Sequence, residues 1–336
     1  MAVSIARWYK RERLDLTVEF VTPAFLGNWE QKSELRAAPF KALLRYWWRV
    51  AEGSRFPTVD SLRQEEGKLF GGTGTDMGQS QVHIETTGNL ALATDLPAID
   101  MLQIPKGSSK TLPVHPWLYL GYGKVARQSG TVRPTHGAIK AGERCQLSLS
   151  AAGPTLDKLR PTLVLISMFG SVGGRCRNGW GGIHLSESED NVTSNARVSW
   201  RPWGELLTHD YPCGLGCDHK GPLYWRLKGG PSPSWDKALV SLAEIYVKIR
   251  LTLPLKPPPN KRHLLGYPVK DHEVREWGNG RHAKGLRLLV RKEGQKYRGY
   301  VLHVPHMFAL PHPRIADEEV WTAVHNQLDQ VMERLP

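Results

Sequence analysis

One stretch organises this sequence: Phe169-Gly170-Ser171-Val172-Gly173-Gly174-Arg175-Cys176-Arg177-Asn178-Gly179-Trp180-Gly181-Gly182, here named the glycine loop. The residues before it, 156–168, have the apolar composition of a buried helix, and those after it, 183–185, begin a strand. Glycine lets a backbone approach a ligand closely or adopt φ above zero, and arginine offers phosphate a planar set of charged donors. This composition indicates a loop that binds a polyanion, although a glycine-rich turn with incidental charge explains it equally well.

The glycine loop matches neither of the two common nucleotide-binding motifs. A P-loop has Lys and then Ser or Thr directly after its last glycine, whereas Trp180 follows Gly179. The dinucleotide-binding fingerprint has a third glycine where His184 stands. A looser match at 121–126 is followed at once by residues 127–130, Arg-Gln-Ser-Gly, which break any helix. Both nucleotide-binding classes are therefore rejected.

The charge balance predicts an anionic partner. The chain of 336 residues has 45 Lys and Arg against 32 Asp and Glu, which gives a net charge of +13. Such a surplus suits nucleic acid or an anionic membrane. We favour nucleic acid, because the sequence has no apolar run of about 18 residues and its N-terminus lacks the apolar core of a signal peptide. We expect a cytoplasmic protein with no membrane partner.

The four cysteines are too few to form a disulfide framework in a chain of this length. Cys213 and Cys217, with His219 beside them and His209 nearby, could supply three or four zinc ligands. No second ligand pair stands at a matching spacing, and free cysteines in a loop containing glycine are the simpler interpretation. Zinc stays an open alternative, and no cofactor is predicted.

A helix that begins at Pro39 carries an unusual charge pattern. Proline fits the first turn of a helix, and the apolar residues that follow it form one buried stripe. Cations recur every four residues beside that stripe, and Glu34 is the only acid between residues 32 and 49. A solvated helix face normally mixes both signs, so we expect phosphate contacts here, with an ordinary wet face as the alternative. The cations at this spacing are Lys41, Arg45 and Arg49, and Lys32 and Arg36 lead into them from before the helix; the five residues are here named the cationic ridge.

The order of the predicted elements is that of a ferredoxin-like unit. Alternation of apolar residues predicts strands, and helical spacing predicts helices. Their order, βαββαβ, leaves one face of the sheet free to bind, as in RNA-recognition modules. Residues 95–140, rich in Pro, Gly and Lys, read as an insertion with weak internal structure. The strands lie at 13–21, 81–87, 144–150 and from 183, and the helices at 39–51 and 156–168.

The second half repeats this pattern. A shift in composition to Ser, Asn, Gly and Pro over 186–221 indicates a domain boundary. The chain is therefore predicted to be α+β, with two tandem ferredoxin-like (RRM-like) domains at 1–198 and 199–336. The elements predicted in the second half are a strand at 222–227, a helix at 235–250, a hairpin of 285–291 and 296–304, and a helix at 318–334.

Short motifs in both halves carry a family resemblance. They are Thr22-Pro23-Ala24-Phe25-Leu26-Gly27, Glu34-Leu35-Arg36, Lys41-Ala42-Leu43-Leu44-Arg45-Tyr46-Trp47-Trp48-Arg49, Leu69-Phe70-Gly71 and, more weakly, Arg281-His282-Ala283-Lys284-Gly285-Leu286. Together with the glycine loop they resemble the family of first subunits of the Cmr complex, the type III-B CRISPR effector, within the RAMP superfamily. The resemblance mainly covers the first 185 residues.

The resemblance implies a non-catalytic RNA-binding subunit at the head of that complex, near the 3′ end of the guide RNA, which helps to capture target RNA in antiviral defence. Guide RNA, target RNA and other Cmr subunits would be its partners. Cys176 and Asn178 depart from a more arginine-rich loop, so the contribution of each loop position stays open. We expect Trp180 to stack on a base. The RNA-binding residues expected beside the cationic ridge are Gly173, Gly174, Arg175, Arg177, Gly179, Trp180 and Gly181.

Two other classes of function remain as alternatives. Some relatives in the superfamily cut guide RNA without metal, through a histidine that acts as general acid or base. None of the 13 histidines of this chain lies in a nucleophile–base motif, and His303 and His306 read as structural. A basic scaffold that docks only to protein would not need its cations on one ridge and in one loop. We therefore predict RNA binding without enzyme activity.

Overall fold

The computed structural model describes residues 11–74, 77–106, 110–187, 190–191, 198–254, 260–269, 272–311 and 317–336. It is a mixed α+β structure with several small sheets. In chain order, its first half contains β1 (Arg11–Phe20), α1 (Ala37–Glu52), α2 (Val59–Phe70), β2 (His83–Thr87), β3 (Leu92–Ala93), β4 (Leu102–Lys106), β5 (Lys110–Val114), α3 (Pro116–Leu120), β6 (Val125–Gln128), β7 (Thr131–Pro134), β8 (Ala138–Ile139), β9 (Arg144–Ala152), α4 (Gly153–Phe169), β10 (Ile183–Glu187) and β11 (Asp190–Asn191).

The first half is built on an antiparallel sheet in the strand order β11-β10-β1-β9-β2. In the central strand β1, the alternating residues Leu14, Leu16 and Val18 are buried, as the period of a half-buried strand requires. Helices α1 and α4 pack against each other, and the rings of Trp47 and Phe169 lie 5.8 Å apart. The predicted strands and both predicted helices of this half are confirmed.

Helix α2 follows α1 and was not predicted from the sequence. It begins with a capping box, in which the Thr58 hydroxyl accepts a hydrogen bond from the backbone N–H of Ser61 at 3.1 Å. Its pattern is weak because a carboxylate, Glu66, occupies a buried position that helical spacing reserves for apolar residues. The helix packs beside α1 and gives that buried carboxylate a place opposite the cationic ridge.

The insertion has more internal structure than its composition predicted. Strands β4 and β5 form one hairpin, β6 and β7 form another, and β3 pairs with β8. Between the two hairpins, α3 buries Trp117, whose indole N–H donates to the carbonyl of Pro97 at 2.9 Å. Trp117 therefore anchors the insertion in an apolar core that it shares with the glycine loop and the second half, and the insertion packs along helix α6 (Trp235–Thr252) of that half.

The second half contains a four-stranded antiparallel sheet in the order β16-β17-β15-β18 and a small sheet of β12, β13 and β14. The last predicted helix was too long, because residues 332–334 leave it and pair with β15. In chain order, the elements are β12 (Trp200–Pro202), α5 (Trp203–Leu206), β13 (Leu215–Asp218), β14 (Gly221–Pro222), β15 (Tyr224–Leu227), α6 (Trp235–Thr252), β16 (Leu286–Glu293), β17 (Lys296–His303), α7 (Asp317–Val331) and β18 (Met332–Arg334).

Both main sheets share one topology. Numbering the four strands of each half in order of appearance gives 4-1-3-2 for β10-β1-β9-β2 and 2-3-1-4 for β16-β17-β15-β18, which is the same order from the opposite edge. In each half, one long helix follows the first strand and another follows the third. The predicted boundary at 198/199 adjoins residues 192–197, which lie outside the described residues.

The two halves are packed together at the glycine loop. Trp180 of the loop lies 6.1 Å, between ring centroids, from Trp235 on α6. From β16, Arg291 extends its guanidinium into the first half, where Nε donates to the carbonyl of Met168 and Nη1 to that of Ile183, both at 2.8 Å. The loop is thus the structural junction of the molecule, and residues on either side of it can contribute to one site.

Candidate nucleic-acid interface

The glycine loop is a tightly bonded junction. The backbone N–H of Gly174 donates a hydrogen bond to the carbonyl oxygen of Phe25 at 2.9 Å, and that of Gly181 donates one to the carbonyl oxygen of Pro23 at 2.8 Å. Gly181 has φ +63°, and a Cβ there would lie 1.9 Å from the carbonyl oxygen of Val172. Glycine at this position therefore permits close packing of protein on protein, and the same reason holds at Gly173, whose Cβ would lie 2.6 Å from the Phe25 carbonyl oxygen.

Trp180 is a core residue in this structure. Its ring is fully buried, with ring centroids 5.2 Å from Phe25 and 5.5 Å from Trp117. The preceding Gly179 accepts a hydrogen bond from the Thr22 hydroxyl at 2.8 Å. A base cannot reach the indole of Trp180 in this arrangement, because its neighbours cover the ring. The expected stacking role therefore has no exposed ring at this position.

Arg175 and Arg177 point away from this junction into a cleft. Arg175 is exposed, has φ 57°, and carries its guanidinium 5.7 Å from the centroid of Tyr122. Arg177 is half-buried, and its guanidinium lies 5.6 Å from the centroid of Tyr46 on α1. Neither forms an ion pair with a carboxylate in the described parts of the chain. Both guanidinium groups therefore contact aromatic rings. No described carboxylate neutralises either charge, so both can attract an anion in the cleft.

The cationic ridge does not share this cleft. Arg45 and Arg49 turn towards α2, where their Nε atoms lie 2.5 and 3.5 Å from carboxylate oxygens of Glu66, which is 6% exposed. Arg36 donates to the backbone carbonyl of Gly27, Lys32 pairs with Glu30, and Lys41 is half-buried. Arg45 and Arg49 therefore lie outside the cleft, where α1 packs against α2, and their contact with RNA stays a prediction.

A neighbouring face of α1 forms one wall of the cleft, through Pro39, Ala42 and Tyr46. The glycine loop, the insertion, α6 and the segments 262–269 and 272–287 complete a cleft of about 1420 Å³ at the junction of the two halves. Eight lysine and arginine residues line it against a single described carboxylate, that of Glu273. They are Lys124, Arg175, Arg177, Arg250, Arg262, Arg281, Lys284 and Arg287.

The deepest of these cations is Arg287, which is 2% exposed. Its guanidinium lies 4.8 Å from the centroid of Tyr46 and 5.2 Å from that of Trp47, and Nη2 donates to the hydroxyl of Ser171 at 3.2 Å. No carboxylate of the described chain pairs with it. A buried arginine without a counter-ion is unusual, because burial of a charge is costly unless it is paired.

Lys284 lies beside Arg287 in the cleft. Its Nζ donates to Oδ1 of Asn178 at 2.7 Å and stands 4.0 Å from the centroid of Tyr246. Burial, followed by the charges of nearby arginines, holds the pKa of Lys284 well below its ordinary value. Asn178 thus accepts a hydrogen bond from a cation of the cleft. This contact gives a structural role to a residue that departs from the arginine-rich loop expected from the resemblance.

The second wall is cationic and aromatic. Arg250, near the end of α6, lies 5.9 Å from the centroid of Tyr119 and 5.7 Å from that of Tyr246. Arg262 donates to the carbonyl of Leu253 at 2.7 Å. Sequence reasoning missed the role of Arg250, Arg262 and Arg287. They stand in three separate elements, and only the packing of the two halves brings them to one cleft.

The structure also places the alternative sites. Cys213 is buried, and Cys217 and His219 do not join it as a group that could hold a metal ion among the described residues. The two histidines that line the cleft are His272 and His282, whereas His303 and His306 are buried elsewhere. Within the described ranges, no helix is both long and apolar enough to cross a bilayer.

No protein-family model matches the sequence, and no curated protein matches it either. Solved structures do. Cmr1 from Pyrococcus furiosus, in its apo crystal form, is 16% identical, with a TM-score of 0.50 over 94% of this chain and 97% of that one. A chain of the type III-B Cmr-beta bound to cognate target RNA and AMPPnP, in the presence of ssDNA, is 12% identical, with a TM-score of 0.50 over 95% of this chain and 98% of that one. The chain therefore shares their fold along nearly its whole length, and the resemblance carried by its motifs is supported at that level.

Proposed function

We propose that this chain is a non-catalytic RNA-binding subunit of a type III-B CRISPR effector (Cmr) complex, in which a single RNA strand lies in the cleft between the halves. The cleft carries the proposal, because eight cations and one described carboxylate line it. Such an excess attracts a polyanion and strengthens binding by counter-ion release. The shared fold with Cmr1 supports the choice of complex.

We also propose that the two halves are tandem ferredoxin-like units. The strand order 4-1-3-2 occurs in both, and a helix crosses after the first and third strand of each. The units present a cleft at their junction, lined by α1 on one side and α6 on the other. RNA would therefore contact both units at once, and the insertion, whose Tyr119 and Lys124 line the same cleft, would contribute to its wall.

The proposed contacts are to phosphate and sugar. The arginines supply charged donors, and the tyrosines Tyr122 and Tyr246 offer faces for stacking. Sequence preference would then come from pairing with the guide. Guide RNA, target RNA and other Cmr subunits are the proposed partners. The proposed position is at the head of the complex in the cytoplasm, near the 3′ end of the guide, in antiviral defence.

The test is the salt dependence of RNA affinity, measured by fluorescence anisotropy with a labelled single-stranded RNA. The double variant Arg175→Gln/Arg177→Gln should bind more weakly. Its slope of log affinity against log salt should be shallower by about 1.4, at about 0.7 for each phosphate that the variant does not neutralise. Arg63→Gln, an exposed arginine on α2 outside the cleft, is the matched control and should keep the original slope. An unchanged slope in the double variant would refute the site and favour a scaffold that binds only protein.

Absence of catalysis needs its own experiment. The purified protein is incubated with guide-repeat RNA in EDTA, and the products are resolved on a denaturing gel. We expect intact RNA, because acid–base cleavage takes both a general base and a general acid, and of the two histidines that line the cleft only His272 is partly exposed, whereas His282 is 5% exposed. Specific cleavage that disappears in a His272→Ala variant would replace the binding role with a metal-independent nuclease.

A further inference from the structure

Three cations meet in the deepest part of the cleft, here named the cleft floor: Arg177, Lys284 and Arg287. The guanidinium groups of Arg287 and Arg177 lie 4.8 and 5.6 Å from the same ring centroid, that of Tyr46. Lys284 is bonded through its Nζ to Asn178, the residue that follows Arg177. The floor thus combines one residue of the glycine loop with two from the second half.

The cleft floor has no counter-ion of its own in the described chain. Glu273, the one described carboxylate of the cleft, pairs with none of the three cations. Arg287 is 2% exposed, yet its Nε has no hydrogen-bond partner and the only bond of Nη2 is to the Ser171 hydroxyl. Buried cations in proteins are normally paired, because removing them from water is costly. The floor is therefore built for an anion that comes from outside.

The shape of the floor distinguishes between kinds of phosphate. An internal phosphodiester is flanked by two sugars, carries one charge and lies along the strand. A phosphomonoester at the end of a strand projects on a single bond and carries a charge of roughly −1.5 to −2 at pH 7. Arg287 is 2% exposed as a whole residue, so only a group that projects from the strand can approach its guanidinium. We propose that the cleft floor binds the terminal phosphate of an RNA strand, so that the protein recognises a strand end.

This proposal rests on the proposed RNA binding and extends it, because a terminal phosphate would fix where along the cleft the strand stops. Bidentate bonds from guanidinium to phosphate are among the stronger hydrogen bonds in proteins. We expect a phosphorylated end to bind about tenfold more tightly than the same RNA with hydroxyl ends, which corresponds to about 1.4 kcal/mol.

Lys284 gives the site a second readout. Burial, acting first, and the charges of Arg250, Arg177 and Arg287 lower its pKa, and the Cys176 thiol acts in the opposite direction. A dianion beside the amine favours its charged form, so binding of a terminal phosphate should raise the pKa of Lys284. NMR titration of the lysine side-chain amines, with and without the phosphorylated RNA, measures that change, and the Lys284→Met variant identifies the signal.

The experiment compares one short single-stranded RNA with a 3′-phosphate, with a 5′-phosphate and with hydroxyl groups at both ends, by anisotropy at fixed salt. We expect one phosphorylated form to bind about tenfold more tightly than the hydroxyl form. Lys284→Met, which removes one cation of the cleft, should weaken both forms, but the phosphorylated form about tenfold more, so that the two forms bind alike. Lys158→Met, an exposed lysine on α4, should preserve it. Inorganic phosphate should compete for the cleft floor and so reduce the affinity difference between phosphorylated and hydroxyl-ended RNA.

The outcomes separate the two proposals. Equal affinity for all three RNA forms would overturn the terminal-phosphate site and leave RNA binding in place. Failure of every form to bind would overturn the proposed function itself, and the site with it. If Lys284→Met does not fold, as judged by circular dichroism, Arg177→Gln on the half-buried loop position takes its place. Retention of the tenfold preference in the folded variant would place the phosphate elsewhere and refute the assignment.

Discussion

At the scale of single residues, Glu66 decides what the cationic ridge can do. It is 6% exposed, and its two oxygens lie 2.5 Å from Arg45 Nε and 3.5 Å from Arg49 Nε. The sequence shows the two arginines without acidic neighbours, because their partner stands on the next helix, 21 residues after Arg45. The spacing of Arg45 and Arg49 thus serves the packing of α1 on α2, and a neighbouring face of α1, which carries Tyr46, lines the cleft.

Replacing Glu66 by Gln should therefore reduce the stability of the protein without changing its affinity for RNA. Two arginines would face a neutral amide across a buried position. We expect a loss of about 1 to 2 kcal/mol in the free energy of unfolding, below the value for fully buried pairs because the arginines are about one-third exposed. Urea denaturation measures this loss. Glu65→Gln, which removes an exposed pair with Lys68, should change stability by less than about 0.5 kcal/mol. Equal losses in both variants, or a fall in RNA affinity with Glu66→Gln, would contradict this account.

The residue scale also shows why the glycine loop was only partly predictable. Its composition directed attention to Arg175 and Arg177, which line the cleft. The same composition could not reveal that Gly181 meets the Val172 carbonyl or that Trp180 lies among other tryptophans. Glycine and tryptophan are equally suited to binding a ligand and to packing against protein. Only tertiary contacts distinguish the two uses.

At the scale of elements, a histidine pair joins strand β17 to helix α7. His303 Nδ1 and His325 Nε2 lie 2.8 Å apart, and Trp321 stacks on His303 with ring centroids 3.9 Å apart. Burial, followed by the charge of Arg334, lowers the pKa of His325 to about 3, and burial lowers the pKa of His303 well below its ordinary value. Both imidazoles are therefore neutral in the folded protein near neutral pH.

This pair should make stability depend on pH below about 6.5. The unfolded chain binds protons there and the folded chain does not, so stability is full above pH 6.5 and falls towards pH 3. We expect His325 to contribute a loss of about 2 kcal/mol between pH 7 and pH 5, with a further loss in the same direction from His303. Over that pH range, the His325→Gln variant should lose about 2 kcal/mol less free energy of unfolding than the unaltered protein. The control His219→Gln, at an exposed position, should lose as much as the unaltered protein. Thermal unfolding at a series of pH values measures the difference, and parallel curves for His325→Gln and the unaltered protein would contradict the assignment.

Elements were predictable where one physical signal was strong. Strand β1 alternates and α1 has a clear apolar stripe, so both were located within a few residues. Helix α2 was missed because Glu66 interrupts its buried face, and β18 was missed because residues 332–334 extend a helical pattern before turning into a strand. The hairpins of the insertion are too short for periodicity to reveal, and the first of them packs against α6 through β4.

At the scale of the whole molecule, the cleft could be predicted only on one side. The glycine loop was identified from its residues, and the motif containing Arg281 and Lys284 was noted for its resemblance alone. Arg250 on α6 and Arg287 on β16 belong to elements whose sequences predict only buried structure. Their charges become one site because the two halves pack at Trp180 and Trp235. The positions of Arg250 and Arg287 in the sequence do not reveal that packing of the two halves brings them to one cleft.

If one strand contacts both halves, then a cation on either wall should contribute equally to the salt dependence. Arg175 in the first half and Arg281 in the second are both exposed and line the cleft. Each single Gln variant should make the slope of log affinity against log salt shallower by about 0.7, and the double variant by about 1.4. Anisotropy titrations over a range of salt concentrations measure all three. A slope that changes with Arg175→Gln and not with Arg281→Gln would confine RNA to the first half, and the second half would then be free to bind another subunit.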